Sequence, residues 1–486
     1  MIRMERSHVN PHVVLLPYPL QGHIKPMMSL AELLGSANFQ VTFVNTNHNH
    51  DLLLRNTDIT SFCNRFPNFQ FRSIPSGLPA NVIRSGLTAK DVFDAMKAMS
   101  KPAFRDLLIS LGEETEQRQR PTCVIADGIL CFLTLDVSEE LQIPLLALRT
   151  HNASYSWIYF HLPKLIEDGH IPFLDENMDK PVAGIPGFEN FLRNRDLPGT
   201  CRVKTSDDDY LLQFFIGETF AMTRASALIL NTFEIEAPVV SLLGSHFTKI
   251  YTIGPLHKLR KSRMKDINSP SVSSSGILQK EDTSCMTWLN SQPPKSVLYV
   301  SFGSLVGLTR EQMSELWHGL VNSGQRFLLV VRPDLILGEP GAGATPLAQN
   351  KGTEERNRFI VSWAPQEEVL AHPAVGGFLT HGGWNSTLEG IVAGVPMICW
   401  PQFSDQFVNS RCVSEVWKIG FDMKDTCDGS IIEKLVRDLM ENKREEIMGS
   451  TDRVATMAHD AVNEGGSSYR NLDGLIEDIR LMARKI

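Results

Sequence analysis

The sequence of 486 residues has few cysteines, and none of them has the spacing of a metal site. Eight cysteines are scattered along the chain, and the two nearest neighbours are Cys123 and Cys131. Because structural zinc sites need closely paired cysteines or histidines, this spacing argues against one. The sequence predicts reduced thiols in a cytoplasmic protein.

Long apolar runs and a surplus of positive charge are lacking as well. The first apolar run, VVLLPYPL, is short and contains Pro17 and Pro19, so it is typical of neither a signal peptide nor a membrane span. The 47 basic and 55 acidic residues give a formal net charge of −8, which provides no electrostatic footprint for nucleic acid or for an anionic membrane. One basic cluster, HKLRKSRMK at 257–265, lies in a polar stretch and is interpreted as a solvated linker.

An alternation of strand and helix patterns is present instead. The run HVVLLP is followed by Met27, Leu30, Ala31 and Leu34 at helical spacing, and then by the run VTFV. Strand, helix and strand in this order indicate a βαβ unit with a parallel sheet. Further strands are predicted at 122–126, 145–148, 227–230 and 250–253.

A second series of the same kind begins at SVLYVSFGS and continues through VGGFLT and VPMICW. We therefore predict an α/β protein with two facing, doubly wound, Rossmann-like domains at 1–255 and 284–465. A linker is predicted at 256–283, and a last helix at 466–486 is expected to pack back on the first domain. Ligands of such sheets bind beyond the carboxyl ends of the strands, so the two domains predict a cleft between them.

The segment THGGWNSTLEG, residues 380–390, has the form of a phosphate site. A strand passes two glycines and opens a helix at about Ser386, which presents backbone N–H groups and a positive helix end. Gly382 and Gly383 allow close approach of an anion, and His381 and Asn385 offer donors. Ser386 and Glu389 also fit a helix capping box, and the segment alone does not separate the two interpretations.

The stretch from Trp363 to Gln406, which contains this segment, resembles the signature box of plant family 1 uridine-diphosphate-dependent glycosyltransferases. The agreement includes WAPQ, HP, WNS, GVP and the closing DQ, and it extends to PYPLQGHIKP, LILNTFE and TWLNSQPPKSVLYVSFGS. Within the family, the chain looks closest to glucosyltransferases of small terpenoids, including iridoids. One departure is Gly382, where the family usually has Cys. The resemblance implies a GT-B fold, UDP-glucose as co-substrate and no metal, and no Asp-x-Asp motif occurs near the box.

The resemblance also implies roles for individual residues. Trp363 would stack on the uracil ring, with Ala364 and Gln366 beside the nucleoside, and Glu389 would accept from the ribose hydroxyls. The remaining donor-site candidates are Ser304, His381, Gly383, Asn385 and Ser386 around the diphosphate, and Trp384, Asp405 and Gln406 at the sugar. Structural alternatives exist for Trp363 as a core aromatic residue, Ser304 as a turn hydroxyl and Asp405 as a helix N-cap.

Transfer to a hydroxyl needs a base, and two residues on the carboxyl edge of the first sheet suit that task. His23 follows the first strand and precedes a helix with Pro26 in its first turn, whose positive end favours neutral imidazole. Asp127 ends another strand of the same sheet and can orient the imidazole. Asp127 as an N-cap and His23 as a loop residue are the alternatives. The resemblance implies that the two form a catalytic dyad, which gives a β-glucoside by inversion.

The acceptor site is expected in the first domain, with Arg149, Thr150, Tyr155, Trp157 and Phe191 as candidates. These residues suggest a mainly apolar small molecule, and the arginines of this region face either solvent or a substrate carboxylate. Flavonoids and other phenols are alternative acceptors.

Two functions of other classes are alternatives. A nicotinamide-dependent oxidoreductase would need a Gly-rich turn between strand and helix, and the only candidate, GEPGAGATP at 338–346, is loop-like. A UDP-sugar-binding protein without catalysis would keep the box and lose the dyad, whereas His23 and Asp127 are both present. The sequence therefore favours the enzyme.

Overall fold

The computed structural model describes residues 10–79, 87–113, 120–173, 175–189, 191–203, 206–264, 279–337 and 357–485. The Gly-rich segment at 338–346 and positions 265–278 of the predicted linker lie outside these ranges. The strands of the first sheet are β1 (His12–Leu16), β2 (Gln40–Thr46), β3 (Phe69–Ile74), β4 (Cys123–Asp127), β5 (Leu145–Arg149), β6 (Ala227–Leu230) and β7 (Ile250–Thr252). Those of the second are β8 (Val297–Ser301), β9 (Arg326–Val330), β10 (Arg358–Val361), β11 (Val375–Thr380), β12 (Met397–Cys399) and β13 (Gly420–Asp422).

The helices that accompany the first sheet are α1 (Gln21–Ser36), α2 (Asn47–Asn56), α3 (Ile59–Arg65), α4 (Ala89–Glu113), α5 (Cys131–Glu140), α6 (Ala153–Glu167), α7 (Ser206–Ala221), α8 (Ala237–Leu243) and α9 (Leu256–Arg263). Those that follow are α10 (Ser284–Asn290), α11 (Arg310–Asn322), α12 (Gln366–Leu370), α13 (Trp384–Val392), α14 (Gln406–Arg411), α15 (Gly429–Arg437), α16 (Arg444–Val462) and α17 (Ser467–Ala483). Local signals account for several of their starts. The Thr309 side chain, for example, accepts from the Gln312 N–H and forms a capping box at the start of α11.

Both sheets are parallel and doubly wound, which confirms the predicted fold class. Their strand orders are β3-β2-β1-β4-β5-β6-β7 and β10-β9-β8-β11-β12-β13. The central strands β1 and β4 are buried at every position, as expected for strands that are covered by helices on both faces. In each sheet the strand order reverses between two neighbours, β1 and β4 in the first and β8 and β11 in the second. Ligands bind at such switch points.

The stretch 256–263 was predicted as part of a solvated linker, and this prediction is wrong. It forms α9, whose Leu256 and Leu259 are buried in the same apolar cluster as α1. Arg260 is also buried and forms an ion pair with Glu32 at 2.9 Å. The high charge of this segment concealed two apolar residues at helical spacing, and burial of those residues holds the helix against the domain.

The last helix, α17, begins at Ser467 and packs on β7 at the edge of the first sheet. Its apolar face is part of the cluster that covers one side of that sheet. The buried residues of this face are Leu472, Leu475, Ile476 and Ile479. No helix within the described residues has the length and apolar character needed to cross a membrane.

Candidate active site

His23 and Asp127 are brought together at the switch point of the first sheet. His23 Nδ1 lies 2.6 Å from Asp127 Oδ2 and 3.0 Å from Thr150 Oγ1. Burial by itself would raise the pKa of Asp127, but the charge of His23, its hydrogen bonds and the charge of Arg149 hold that pKa below its ordinary value. Asp127 also accepts from the Ile129 N–H, so it caps the next turn as well as contacting His23. The carboxylate can therefore accept a hydrogen bond from Nδ1–H, which leaves Nε2 as the basic atom.

Helix α1 begins at Gln21, so His23 lies within its first turn rather than ahead of it, and Pro26 lies deeper in the helix than predicted. Because proline has no N–H, Pro26 cannot donate to the Gly22 carbonyl four residues earlier. That carbonyl instead accepts from Asn385 Nδ2 of the second domain at 2.6 Å. The proline thus leaves an acceptor for a contact between the domains, beside the dyad.

The helix expected to bind phosphate is α13, and its start differs from the predicted one. It begins at Trp384 with Gly383 as N-cap, and no side chain caps it. The capping box of Ser386 and Glu389 is therefore wrong, because both residues lie inside the helix. The N-cap Gly383 has no side chain to cap α13, the Asp405 carboxylate interacts with the Trp384 N–H, and the first residues of the helix line the cleft, as in an anion site.

Two glycines make room for His381 beside this helix start. A Cβ on Gly383 would lie 2.5 Å from His381 Nε2, and one on Gly303 would lie 2.7 Å from His381 Cε1. Burial, together with the charge of Arg332, lowers the pKa of His381 to about 4, so its imidazole is neutral at neutral pH. Gly382 has φ +76°, a left-handed conformation that glycine adopts without the cost a side chain adds.

Glu389, the candidate for ribose binding, already has partners on both carboxylate oxygens. Lys25 Nζ of the first domain lies 2.5 Å from Oε1, and Gln366 Nε2 donates to Oε2 at 2.6 Å. Gln366 also donates to Ser386 Oγ at 3.0 Å and accepts from the Tyr299 hydroxyl at 3.2 Å. Each carboxylate oxygen has a second lone pair, so ribose hydroxyls can still bind.

The sugar-site candidates lie where the two domains meet. Trp384 is buried, and its Nε1 donates to the Asn231 carbonyl at 2.8 Å. Asp405 accepts from Asn409 Nδ2 at 2.8 Å and gives no side-chain cap to α14. Burial raises the pKa of Asp405 to about 6. Gln406 Oε1 accepts from the Gln402 N–H at 2.8 Å, so this side chain joins the two ends of the turn at 402–406.

Most of the predicted residues line one cleft between the domains. Sequence reasoning missed Lys25, because an ionic partner so far along the chain leaves no local pattern. It also missed His151, Tyr299 and Ser404. The predicted residues that line the cleft are His23, Thr150, Ser304, Trp363, Ala364, Gln366, His381, Gly383, Trp384, Asn385, Ser386, Glu389 and Asp405.

The other acceptor candidates are not among the residues that line this cleft. Trp157 Nε1 donates to the Pro186 carbonyl at 2.8 Å, and its ring packs in the core. Phe191 packs under Arg411, whose guanidinium carbon lies 5.5 Å from the ring centroid. Tyr155 comes nearer, since its hydroxyl lies 3.2 Å from Ser404 Oγ.

Three aromatic rings that were not predicted as acceptor-site residues form a chain of contacts from His23. The Tyr18 ring lies 5.2 Å from the His23 ring and 6.3 Å from Phe93, and Phe93 stacks on Phe214 at 3.9 Å. Burial and the charge of Asp127 raise the pKa of Tyr18 to about 12, so Tyr18 stays protonated. Its position directly after β1, five residues before His23, is the sequence signal that could have identified it.

Comparison with known proteins agrees with this geometry. A model of the UDP-glucoronosyl and UDP-glucosyl transferase family matches residues 265–461. The chain is 49% identical over 478 residues to the 7-deoxyloganetic acid glucosyltransferase of Catharanthus roseus, covering 98% of each protein. It is 39% identical over 476 residues to the 7-deoxyloganetin glucosyltransferase of Gardenia jasminoides, covering 96% of this chain and 97% of that protein.

Among solved structures, UGT71G1 of Medicago truncatula complexed with UDP-glucose superposes with a TM-score of 0.77 at 26% identity, covering 98% of this chain and all of the other. Two Rossmann-like domains around a shared cleft define a glycosyltransferase of the GT-B class. The chain belongs to the UDP-glucoronosyl and UDP-glucosyl transferase family, and it is a UDP-glycosyltransferase.

Proposed function

We propose that the enzyme transfers glucose from UDP-glucose, with inversion, to a hydroxyl group of a small terpenoid, and that iridoids are its first candidate acceptors. The observation that carries this proposal is the His23–Asp127 contact of 2.6 Å at the mouth of the donor cleft. Two relatives named for iridoid substrates, 49% and 39% identical over nearly the whole chain, support the acceptor class.

The dyad supplies the proton transfer of this reaction. Asp127 holds the Nδ1 proton of His23, so Nε2 takes the proton of the acceptor hydroxyl. The hydroxyl oxygen then attacks the anomeric carbon from the face opposite the diphosphate, and the bond from that carbon to the diphosphate oxygen breaks. The product is a β-glucoside, and UDP leaves with the electron pair.

The donor roles follow from positions around the cleft. We assign the uracil to Trp363, with Ala364 and Gln366 near the nucleoside, and the ribose hydroxyls to Glu389. We place the negative charge that develops on the leaving diphosphate at the start of α13 and beside the neutral His381. Further diphosphate contacts are assigned to Ser304, Gly383, Asn385 and Ser386, and sugar contacts to Trp384, Asp405 and Gln406.

Other parts of the proposal rest on sequence patterns. We place the domains at 1–255 and 284–465 and the linker between them at 256–283, of which α9 packs on the first domain. We expect the enzyme to work in the cytoplasm without a metal. Addition of a chelator such as EDTA should therefore leave the rate of transfer unchanged, and a loss that Mg²⁺ or Mn²⁺ restores would contradict this expectation.

The test is mass spectrometry of the purified enzyme with UDP-glucose and a panel of acceptors: 7-deoxyloganetic acid, its methyl ester, a flavonol and a simple phenol. A gain of one hexose on the iridoids is expected. His23→Ala should lower kcat by about 10²-fold to 10⁴-fold and keep UDP binding. His318→Ala, at an exposed position on α11, is the matched control and should retain activity.

Other results would redirect the proposal. Transfer only to the flavonol or the phenol would show that the acceptors are phenols rather than terpenoids. UDP binding without transfer to any acceptor would favour the non-catalytic UDP-sugar-binding function. Unchanged turnover in His23→Ala would reject the assigned base.

A further inference from the structure

Arg149 is a buried cation whose charge acts on Asp127 and Glu218 but which forms no direct ion pair with either carboxylate. It is the last residue of β5 and is 5% exposed. In the part of the chain that the structure describes, it forms no ion pair, its Nε has no acceptor, and its single hydrogen bond is a long one of 3.4 Å from Nη2 to Thr219 Oγ1. A guanidinium buried in this way is costly unless an anion joins it.

Other arginines of the same domain are paired with carboxylates. Arg260 is buried to a similar degree and lies 2.9 Å from Glu32. Arg193 and Arg195, which could also have faced a substrate, pair with Asp196 at 3.0 Å and with Asp179 at 2.6 Å. Within the described residues, the fold thus supplies direct ion-pair partners for these cations and not for Arg149.

The position of Arg149 relates it to the dyad. A Cβ on Gly128, the residue after Asp127, would lie 2.9 Å from Arg149 Nε, so the guanidinium stem packs against the chain beside the orienting carboxylate. The next residue, Thr150, contacts His23 at 3.0 Å. Arg149 therefore lies at the carboxyl edge of the sheet, next to Thr150 of the cleft lining, although its own side chain is not among those that line the cleft.

Aromatic rings lie on the same side of the sheet as Arg149. Thr219, its hydrogen-bond partner, belongs to α7, and so does Phe214, which stacks on Phe93. Tyr18 links Phe93 to His23 through ring contacts. A cation next to apolar rings suits a ligand with an apolar skeleton and one carboxylate.

Glu218 is one of two buried acidic side chains on which the charge of Arg149 acts, and the other, Asp127, contacts His23. The Glu218 carboxylate accepts from the Phe132 N–H at 2.9 Å rather than from the guanidinium. Burial raises the pKa of Glu218 to about 7, even though the positive charge of Arg149 acts in the opposite direction. Glu218 is thus partly neutral at neutral pH and leaves the guanidinium available.

We infer that the acceptor is a hydroxy acid and that Arg149 binds its carboxylate while His23 takes the proton of the hydroxyl. This inference rests on the proposed function and adds one chemical group to its acceptor class. Arginine suits the role because its planar fork of N–H groups matches the two oxygens of a carboxylate.

The test compares 7-deoxyloganetic acid, its primary amide and its methyl ester as acceptors for the wild-type enzyme and for Arg149→Met. The wild-type enzyme should have a KM for the acid at least about 10-fold below that for the ester, since a charged hydrogen bond discriminates by about 10-fold to 100-fold. Arg149→Met should remove this preference, by raising the KM for the acid to that for the ester, and leave the UDP dissociation constant within about 3-fold. Arg149→Lys should restore part of the preference.

Arg224→Met is the matched control, because Arg224 is half-exposed and pairs with Glu139 on the surface at 2.5 Å. A merely structural role would lower kcat for all three acceptors alike and would overturn the inference. So would equal KM values for the acid and the ester in the wild-type enzyme, a result that needs no variant. If neutral acceptors gain a hexose and the KM for the acid is no lower than that for the ester, the proposed glucosyl transfer is supported and the carboxylate-binding role of Arg149 is rejected.

Discussion

Lys25 and Glu389 form an ion pair across the cleft between the two domains, with Nζ 2.5 Å from Oε1. Lys25 also lies 2.8 Å from Glu367. Burial by itself would lower the pKa of Lys25, but the two carboxylates raise it above its ordinary value. Because His23 is two residues earlier on α1, the same turn of helix contacts the orienting carboxylate on one side and the proposed ribose ligand on the other.

Lys25→Met should weaken donor binding, because it leaves the buried Glu389 and Glu367 without the ammonium between them. We expect the KM for UDP-glucose and the UDP dissociation constant to rise about 10-fold or more. Loss of one partner of a buried pair should also lower the free energy of unfolding by about 3–5 kcal/mol. Calorimetric titration with UDP and thermal unfolding measure the two effects.

Lys261→Met is the matched control for this change. Lys261 pairs with the other oxygen of Glu367 at 2.7 Å, but its side chain is 48% exposed. A surface pair contributes about 0–1 kcal/mol, so UDP binding should stay within about 2-fold. Equal effects of the two substitutions would contradict a specific role for Lys25.

Asp127→Asn should reduce kcat without a loss of donor binding. An amide nitrogen facing His23 Nδ1 would favour the tautomer with the proton on Nε2, which cannot accept a proton from the hydroxyl. We expect a decrease in kcat of about 10²-fold or more at neutral pH, with the UDP dissociation constant within about 2-fold. Steady-state kinetics and calorimetric titration with UDP measure the two quantities. If the affinity for UDP fell by the same factor as kcat, Asp127 would have a structural role instead.

The sequence was sufficient to predict the parts of the site that depend on strand order. His23 and Asp127 follow apolar runs that form β1 and β4, and doubly wound sheets place such strands side by side at the switch point. The same reasoning identified His381 after β11. Asp127 ends β4, His381 directly follows β11, and His23 lies in the first turn of the helix after β1, so their places follow from local pattern and topology.

Contacts between distant segments could not be predicted in this way. Lys25 and Glu389 are 364 positions apart, and nothing in the neighbourhood of either residue indicates the other. Helix α9 was missed because its charge outweighs Leu256 and Leu259 in any average over the segment. The aromatic residues of α6 led to the prediction that they line the acceptor site. Their presence in the sequence does not indicate that Trp157 packs in the core.

The raised pKa of Asp405 predicts a stability effect that depends on pH. Burial raises this pKa from the ordinary 3.8 to about 6 in the folded state. The folded state then binds the proton more tightly than the unfolded state, so the charge of Asp405 costs stability as pH rises from about 4 to 6, and the full cost applies above pH 6.

Asp405→Asn should therefore stabilise the free enzyme at pH 7.5 by up to about 3 kcal/mol and have a smaller effect at pH 5. The amide oxygen can still accept from Asn409, so the local contact is kept. Thermal unfolding of both proteins at the two pH values checks the difference. An equal shift in Tm at pH 5 and pH 7.5 would show that the charge of Asp405 is not the cause.

Gly383→Ala should weaken UDP binding, since the added Cβ would lie 2.5 Å from His381 Nε2 at the start of α13. His381 must then move away from the position proposed for the diphosphate, and we expect the UDP dissociation constant to rise about 10-fold, the cost of one lost hydrogen bond to a charged group. Gly449→Ala in α16 is the matched control, because nothing lies within 4 Å of its Cβ. That control should gain about 0.5–1 kcal/mol of stability and bind UDP normally, so normal binding by both variants would remove His381 from the donor site.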